Sequence, residues 1–227
     1  MSNFDSDGGP ENPWDDRGDL AWNEFDWERY LRDQDEAIHR YLRFYESCKD
    51  VPDRIDKVAE KMNWGDDEWT DESDLEDDSA AEDMDGPGDS EEDVYTLHKN
   101  PIFIATKAIY LGLNRSWQRL ASDPAKAPQS LAISLLNSLH QGEEHAVQAV
   151  HALDFGDFAM AISLFKRAMS ALNGTLALLS ADEVMRYRGV SEWRDEALPR
   201  LFDLREVWLR VIAECREELD RPVDDET

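Results

Sequence analysis

Apolar positions recur at three- and four-residue steps through the second half of the chain, the spacing that gathers side chains on one face of an α-helix. Asn100 before Pro101 offers a cap and a first-turn proline, and Ile104, Ala108, Leu111 with Ile109, Leu113, Trp117, Leu120 follow as a first stripe. Ser122-Asp123-Pro124 and Pro128 interrupt it. A second stripe runs through Ala132, Leu136, Leu139, Glu143, Ala146, Val150 and Leu153, and Phe155-Gly156-Asp157 reads as the next turn. Ile162, Phe165, Met169, Leu172, Leu176 and Leu179 form a third. After an indeterminate piece around Val184–Val190, Leu198, Leu201, Trp208, Val211, Cys215 and Leu219 form a fourth, ended by Pro222. No stretch alternates with period two, so the pattern predicts an all-α protein whose residues 98–221 fold as an antiparallel four-helix bundle.

The first half carries another stripe in a different setting. Trp27, Leu31, Gln34, Ile38, Tyr41 and Tyr45 step along one helical face within residues 20–63, and Ile55, Val58, Ala59 and Met62 after Pro52 predict a second short helix. A lone amphipathic helix is marginal in water, so this aromatic arm must bury its face somewhere. Two destinations are open: the chain's own bundle, or a groove on another protein. Trp27, Leu31, Ile38 and Tyr41 are the candidate contact residues for the second.

Charge separates the chain into regions. Residues 1–97 hold 33 acids and 9 bases, whereas residues 98–227 hold 19 acids and 15 bases. Between Asp66 and Asp93 stand 16 acids and no Lys or Arg. Such a segment cannot bury enough apolar surface to offset its ordering entropy, so residues 64–97 are expected to be a disordered acidic linker. The acidic residues 1–19 are expected to be disordered too, and residues 222–227 to form a short tail. The simpler reading of the run from Asp66 to Asp93 is a solvated spacer that self-repels and extends, and the sharper one an acidic lure for a basic partner or a mimic of a nucleic-acid backbone. The near-neutral second half argues against adaptation to high salt.

A net charge of −28 excludes a generic nucleic-acid binder, which needs basic surface against phosphates. It also disfavours docking on anionic membranes. A protein partner of basic character is the natural complement. The N-terminus lacks the basic and apolar regions of a secretory signal, and the uncharged windows are too short to span a bilayer, so a cytoplasmic location is expected.

Chemistry-bearing motifs are missing from the sequence. Cys48 and Cys215 stand far apart without CxxC spacing. Neither an HExxH motif, an EF-type calcium loop, nor a Gly-rich phosphate loop is present. The polar oddity is Glu143 on an apolar stripe, with His140, Glu144 and His151 on a neighbouring face. A structural ion pair with an arginine such as Arg115 or Arg205, or an escape to solvent near Gly142, is the simpler expectation. A metal or small-ligand site at His140, Glu143, Glu144 and His151 is the sharper one. No cofactor is expected.

Residues 142–174 resemble a single tetratricopeptide-like helix hairpin. Ala149, Gly156-Asp157-Phe158, Ala161, Phe165 and Ala168 stand at that family's small-residue and aromatic positions. The usual large residues early in the first helix are replaced by His145 and Gln148, and Asn173-Gly174 stands where proline is common. The resemblance implies protein–protein interaction. The expectation from the sequence is therefore a non-enzymatic helical interaction or adaptor protein, with a ligand-holding bundle as the alternative.

Overall fold

A computed structural model describes residues 22–64, 97–182 and 186–221. Among them stand six α-helices, one 3-10 turn and no strand: α1 (Glu24–Ser47), α2 (Arg54–Lys61), the turn Leu97–Lys99, α3 (Pro101–Ala121), α4 (Gln129–Asp154), α5 (Phe158–Leu179) and α6 (Arg188–Asp220). The protein is all-α. The expected disordered segments fall almost wholly outside the described residues.

Local chemistry sets the helix starts. The Asn100 side chain accepts from the amides of Ile102 and Phe103 at 3.0 and 3.1 Å, and Pro101 occupies the first turn of α3 where its missing N–H costs nothing. Asp157 caps α5 by accepting from the Met160 amide at 2.9 Å. Gly156, with φ of 71°, makes the tight α4–α5 turn that a side chain would strain.

Four helices close a ring: α3 packs on α4, α4 on α5, α5 on α6, and α6 back on α3. Neighbours run antiparallel. Trp117 bonds to Ala132 while Lys107 reaches Glu143, and Ser116 meets Trp193 while Thr106 meets Trp208. The core is built round Trp117, Trp208, Tyr110 and Phe165, each fully buried or nearly so. Each buried indole N–H finds an acceptor: Trp117 on the Ala132 carbonyl, Trp193 on Ser116 Oγ, Trp208 on Thr106 Oγ1. That satisfaction lets tryptophan fill a core without an orphaned donor.

The arm belongs to the same core. Ile38, Tyr41, Tyr45 and Val58 join the bundle's apolar cluster, and α1 lies antiparallel on α3, with His39 beside Arg115 and Leu42 beside Gly112. Trp64, expected in the linker, stacks on Tyr41 with ring centroids 5.5 Å apart, and so is part of the fold.

The structure departs from the sequence pattern in two places. α6 begins at Arg188, ten residues before Leu198, and continues through Pro199. Val190, Trp193 and Ala197 are buried there, and Trp193 packs on Trp117 at 4.8 Å, so apolar burial outweighs the amide bond that proline removes. In α4 Leu139, Ala146 and Val150 of the predicted stripe are buried, joined by Leu135, Gly142, Ala149 and Ala152. Ala132, Leu136, Glu143 and Leu153 of that stripe are half-buried, so the buried face is rotated part of a step from the one the heptad pattern favoured. Among the described residues no helix is long and apolar enough to cross a membrane.

Candidate protein-interaction surface

Asn23 starts α1 with a reciprocal cap. Its side chain accepts from the Phe25 and Asp26 amides at 2.8 and 3.3 Å, and the Asp26 carboxylate accepts from the Asn23 amide at 2.9 Å. The helix is thereby defined from its first turn. Fifteen α1 residues precede His39, but only six α3 residues follow Arg115. About nine residues of α1, roughly 13 Å at 1.5 Å per residue, therefore run beyond the end of α3.

The apolar stripe runs through both portions while its surroundings change. Tyr41 and Tyr45 are wholly buried and Ile38 is 5% exposed, whereas on the same face Leu31 is 49% and Trp27 38% exposed. Trp22, Trp27 and Tyr30 form an edge-to-face cluster, with centroids 5.0 to 5.9 Å apart. Glu24, Glu28 and Asp35 fall on the flank beside Leu31 at about 100° per residue. The four candidates thus divide. Ile38 and Tyr41 are core of this chain, while Trp27 and Leu31 lie on an exposed, acid-flanked extension.

Charged side chains fasten the buried half of the arm to α6. Asp203 accepts from Tyr45 Oη at 2.6 Å and from Arg54 through Nε at 2.8 Å and through Nη2. The Arg54 guanidinium also lies 4.0 Å above the Tyr45 ring. Arg200 pairs with Glu46 at 2.8 Å, and Arg210 with Asp56. Hydrogen bonding to Arg210 holds the Asp56 carboxyl below the usual carboxylate range. Burial, reinforced by the Asp203 charge, pushes both Tyr41 and Tyr45 well above the ordinary tyrosine range. Between this fastening and the α1–α2 turn lies an open cleft of about 310 Å³, lined by Lys49, Asp53, Arg54, Asp56, Asp203 and Arg210 among others. Its charges largely neutralise one another.

Sequence reasoning missed Asp203, Arg54, Arg200 and Arg210. Their partners lie about 150 residues away in the chain, and nothing in spacing or composition marks such pairs.

The polar oddity resolves into an ion pair with a lysine in place of the expected arginine. Glu143 accepts from Lys107 Nζ at 2.6 Å and from Asn114 Nδ2 at 3.2 Å. Arg115 lies 3.2 Å from His39 Nε2 instead. His140, Glu144 and His151 are exposed and do not converge with Glu143. Among the described residues no three His, Cys, Asp or Glu side chains form a group able to hold a metal.

Comparison with family models, curated proteins and solved structures found no match to this chain.

Proposed function

We propose that the chain is a non-enzymatic protein–protein interaction or adaptor protein whose contact surface is the extended end of α1. The supporting observation is the change in exposure along one stripe: from Tyr45 and Tyr41, wholly buried, to Trp27 and Leu31, 38% and 49% exposed. Beyond Gln34 the helix continues to a capped start, with Tyr30 buried on its inner edge, and brings Leu31 and part of Trp27 to the surface, where apolar area costs about 25 cal/mol per Å². The partner is basic and apolar, matching the acids Glu24, Glu28 and Asp35 beside the stripe and the net charge of −28. Lysines and arginines snorkelling over an apolar face would satisfy both.

The test compares the full chain with a Trp27→Ala/Leu31→Ala variant, first as baits and then by titration against the purified protein they capture. The double variant should keep its melting temperature and lose at least tenfold in affinity. Equal affinity would remove the extension of α1 from the interaction.

A further inference from the structure

Charge is sparse on the outer face of the α4–α5 hairpin. At about 100° per residue, Ile133, Asn137, Glu144, Gln148 and Phe155 of α4 fall within about 60° of arc. On the adjoining flank of α5, Met160, Ser163, Arg167, Ser170 and Ala177 fall within about 100°. All of these are exposed, Ile133 at 60%, Met160 at 54% and Phe155 at 87%. Residues 129–181 hold only four of the chain's 52 acids: Glu143, Glu144, Asp154 and Asp157. Glu143 is turned to Lys107, Asp157 caps α5, and Asp154 stands at the turn between the helices. Lys166, His140 and His151 border the face. Glu144 accepts only a 3.4 Å bond from Gln148, and neither it nor Arg167 has an ion pair among the described residues. The arm is fastened elsewhere, α1 on α3 and both α1 and α2 on α6.

The occupant that such a face suits is a second copy of the chain. A basic partner is drawn to the acidic surfaces, whereas a copy that itself carries −28 is repelled by them and approaches most easily where acids are few. Hydroxyls and primary amides both donate and accept, so Asn137, Gln148, Ser163 and Ser170 can pair with their own kind, as ionised carboxylates cannot. The register of the hairpin supplies the rest. Ser138 beside Thr175 and Gly142 beside Ala171 place Glu144 within about 3 Å of the height of Arg167 along the bundle. A two-fold contact pairs residue i with residue j of the other copy. With the axis along the groove between α4 and α5, each α4 lies on the other copy's α5. Glu144 then meets Arg167, Phe155 meets Met160, and Ile133 meets Ala177, each contact made twice. The face is about 33 Å long and about 20 Å across, roughly 650 Å² per copy or 1,300 Å² in all, at the lower end of what specific interfaces bury. We infer that the chain forms a two-fold dimer through the outer face of α4 and α5, with Glu144 and Arg167 as reciprocal ion pairs and Ile133, Phe155 and Met160 as its apolar contacts. The surface is separate from the end of α1, so either can fail without the other.

Sedimentation equilibrium of the full chain tests this. An interface of this size and polarity belongs at the weak end, so the measurement spans about 1–100 μM protein, where a monomer–dimer equilibrium should be seen. Raising salt from about 50 to about 500 mM should tighten the dimer, because it screens the repulsion between the two acidic chains. Ile133→Glu/Met160→Glu should raise the dissociation constant at least tenfold. Glu144→Arg and Arg167→Glu should each raise it at least threefold, and the two together, which restore the pair with its charges exchanged, should bring it back. Thermal melts check that these exposed substitutions leave the fold intact. A monomer at every concentration and both salts overturns the inference, as does a dimer that salt dissociates. It is equally overturned if the charge exchange fails to rescue, or if the dimer ignores Ile133→Glu/Met160→Glu. A dimer lost instead to Trp27→Ala/Leu31→Ala, or to Phe202→Ser/Leu209→Ser on the exposed flank of α6, would place the contact between copies on another helix and overturn it too.

Discussion

Tyr41 and Tyr45, one turn apart on α1 and both wholly buried, differ in one atom's fate. The Tyr45 hydroxyl donates to Asp203 at 2.6 Å, whereas the Tyr41 hydroxyl is buried with no hydrogen-bond partner among the described residues. Removing a satisfied hydroxyl leaves its acceptor short, while removing an orphaned one removes only a desolvation cost. Tyr45→Phe should therefore destabilise by about 1–3 kcal/mol and Tyr41→Phe should be neutral or stabilising, as read from urea midpoints. Equal losses would mean that Tyr45 gains nothing from Asp203. The same residues set an alkaline limit. Burial raises Tyr41, Tyr45 and Tyr110 above the ordinary range, so the folded state keeps protons that the unfolded chain releases. Stability from this source is complete below the unfolded tyrosine value of about 10 and is lost as pH rises above it. Tyrosinate absorbance should show these three ionising only together with loss of helical signal. Six tyrosines titrating near pH 10 in an intact fold would contradict their burial.

α4 shows how an element's sequence is set by its neighbour. Gly142 sits inside a 26-residue helix, where alanine would ordinarily gain about 1 kcal/mol. A Cβ there would collide with the Tyr110 hydroxyl of α3. Gly142→Ala should therefore lower the melting temperature against its helix propensity, and a rise would show that Tyr110 moves aside freely. Relations of this kind explain what the sequence could and could not disclose. Periodicity located α3, α4, α5 and most of α6, because one buried face per helix imposes that spacing. It did not place the N-terminal turns of α6, because Pro199 carries a local signal against helix that the burial of Val190 and Trp193 outweighs. It also gave Glu143 the wrong kind of cation. Lys107 stands on the facing helix at a height that only the α3–α4 register determines. Trp27, Leu31, Ile38 and Tyr41 looked equivalent in sequence. Their division depends on where α3 ends beneath α1, a length that no periodicity encodes.

At the scale of the whole molecule, α1 serves both the fold and the surface, and its two halves should differ in how they open. From Ile38 to Ser47 the helix shares the bundle core and is fastened through Glu46 and Tyr45 to α6. Those amides should exchange only with global unfolding. From Glu24 to Leu31 the helix runs beyond α3, held by its cap and the Trp22, Trp27 and Tyr30 cluster. Those amides should exchange through local fraying, at rates faster by at least tenfold. Residue-resolved hydrogen exchange of the free chain tests this directly. A step in protection between Leu31 and Ile38 is the expected result, and uniform protection along the whole of α1 would contradict the division between core and contact surface.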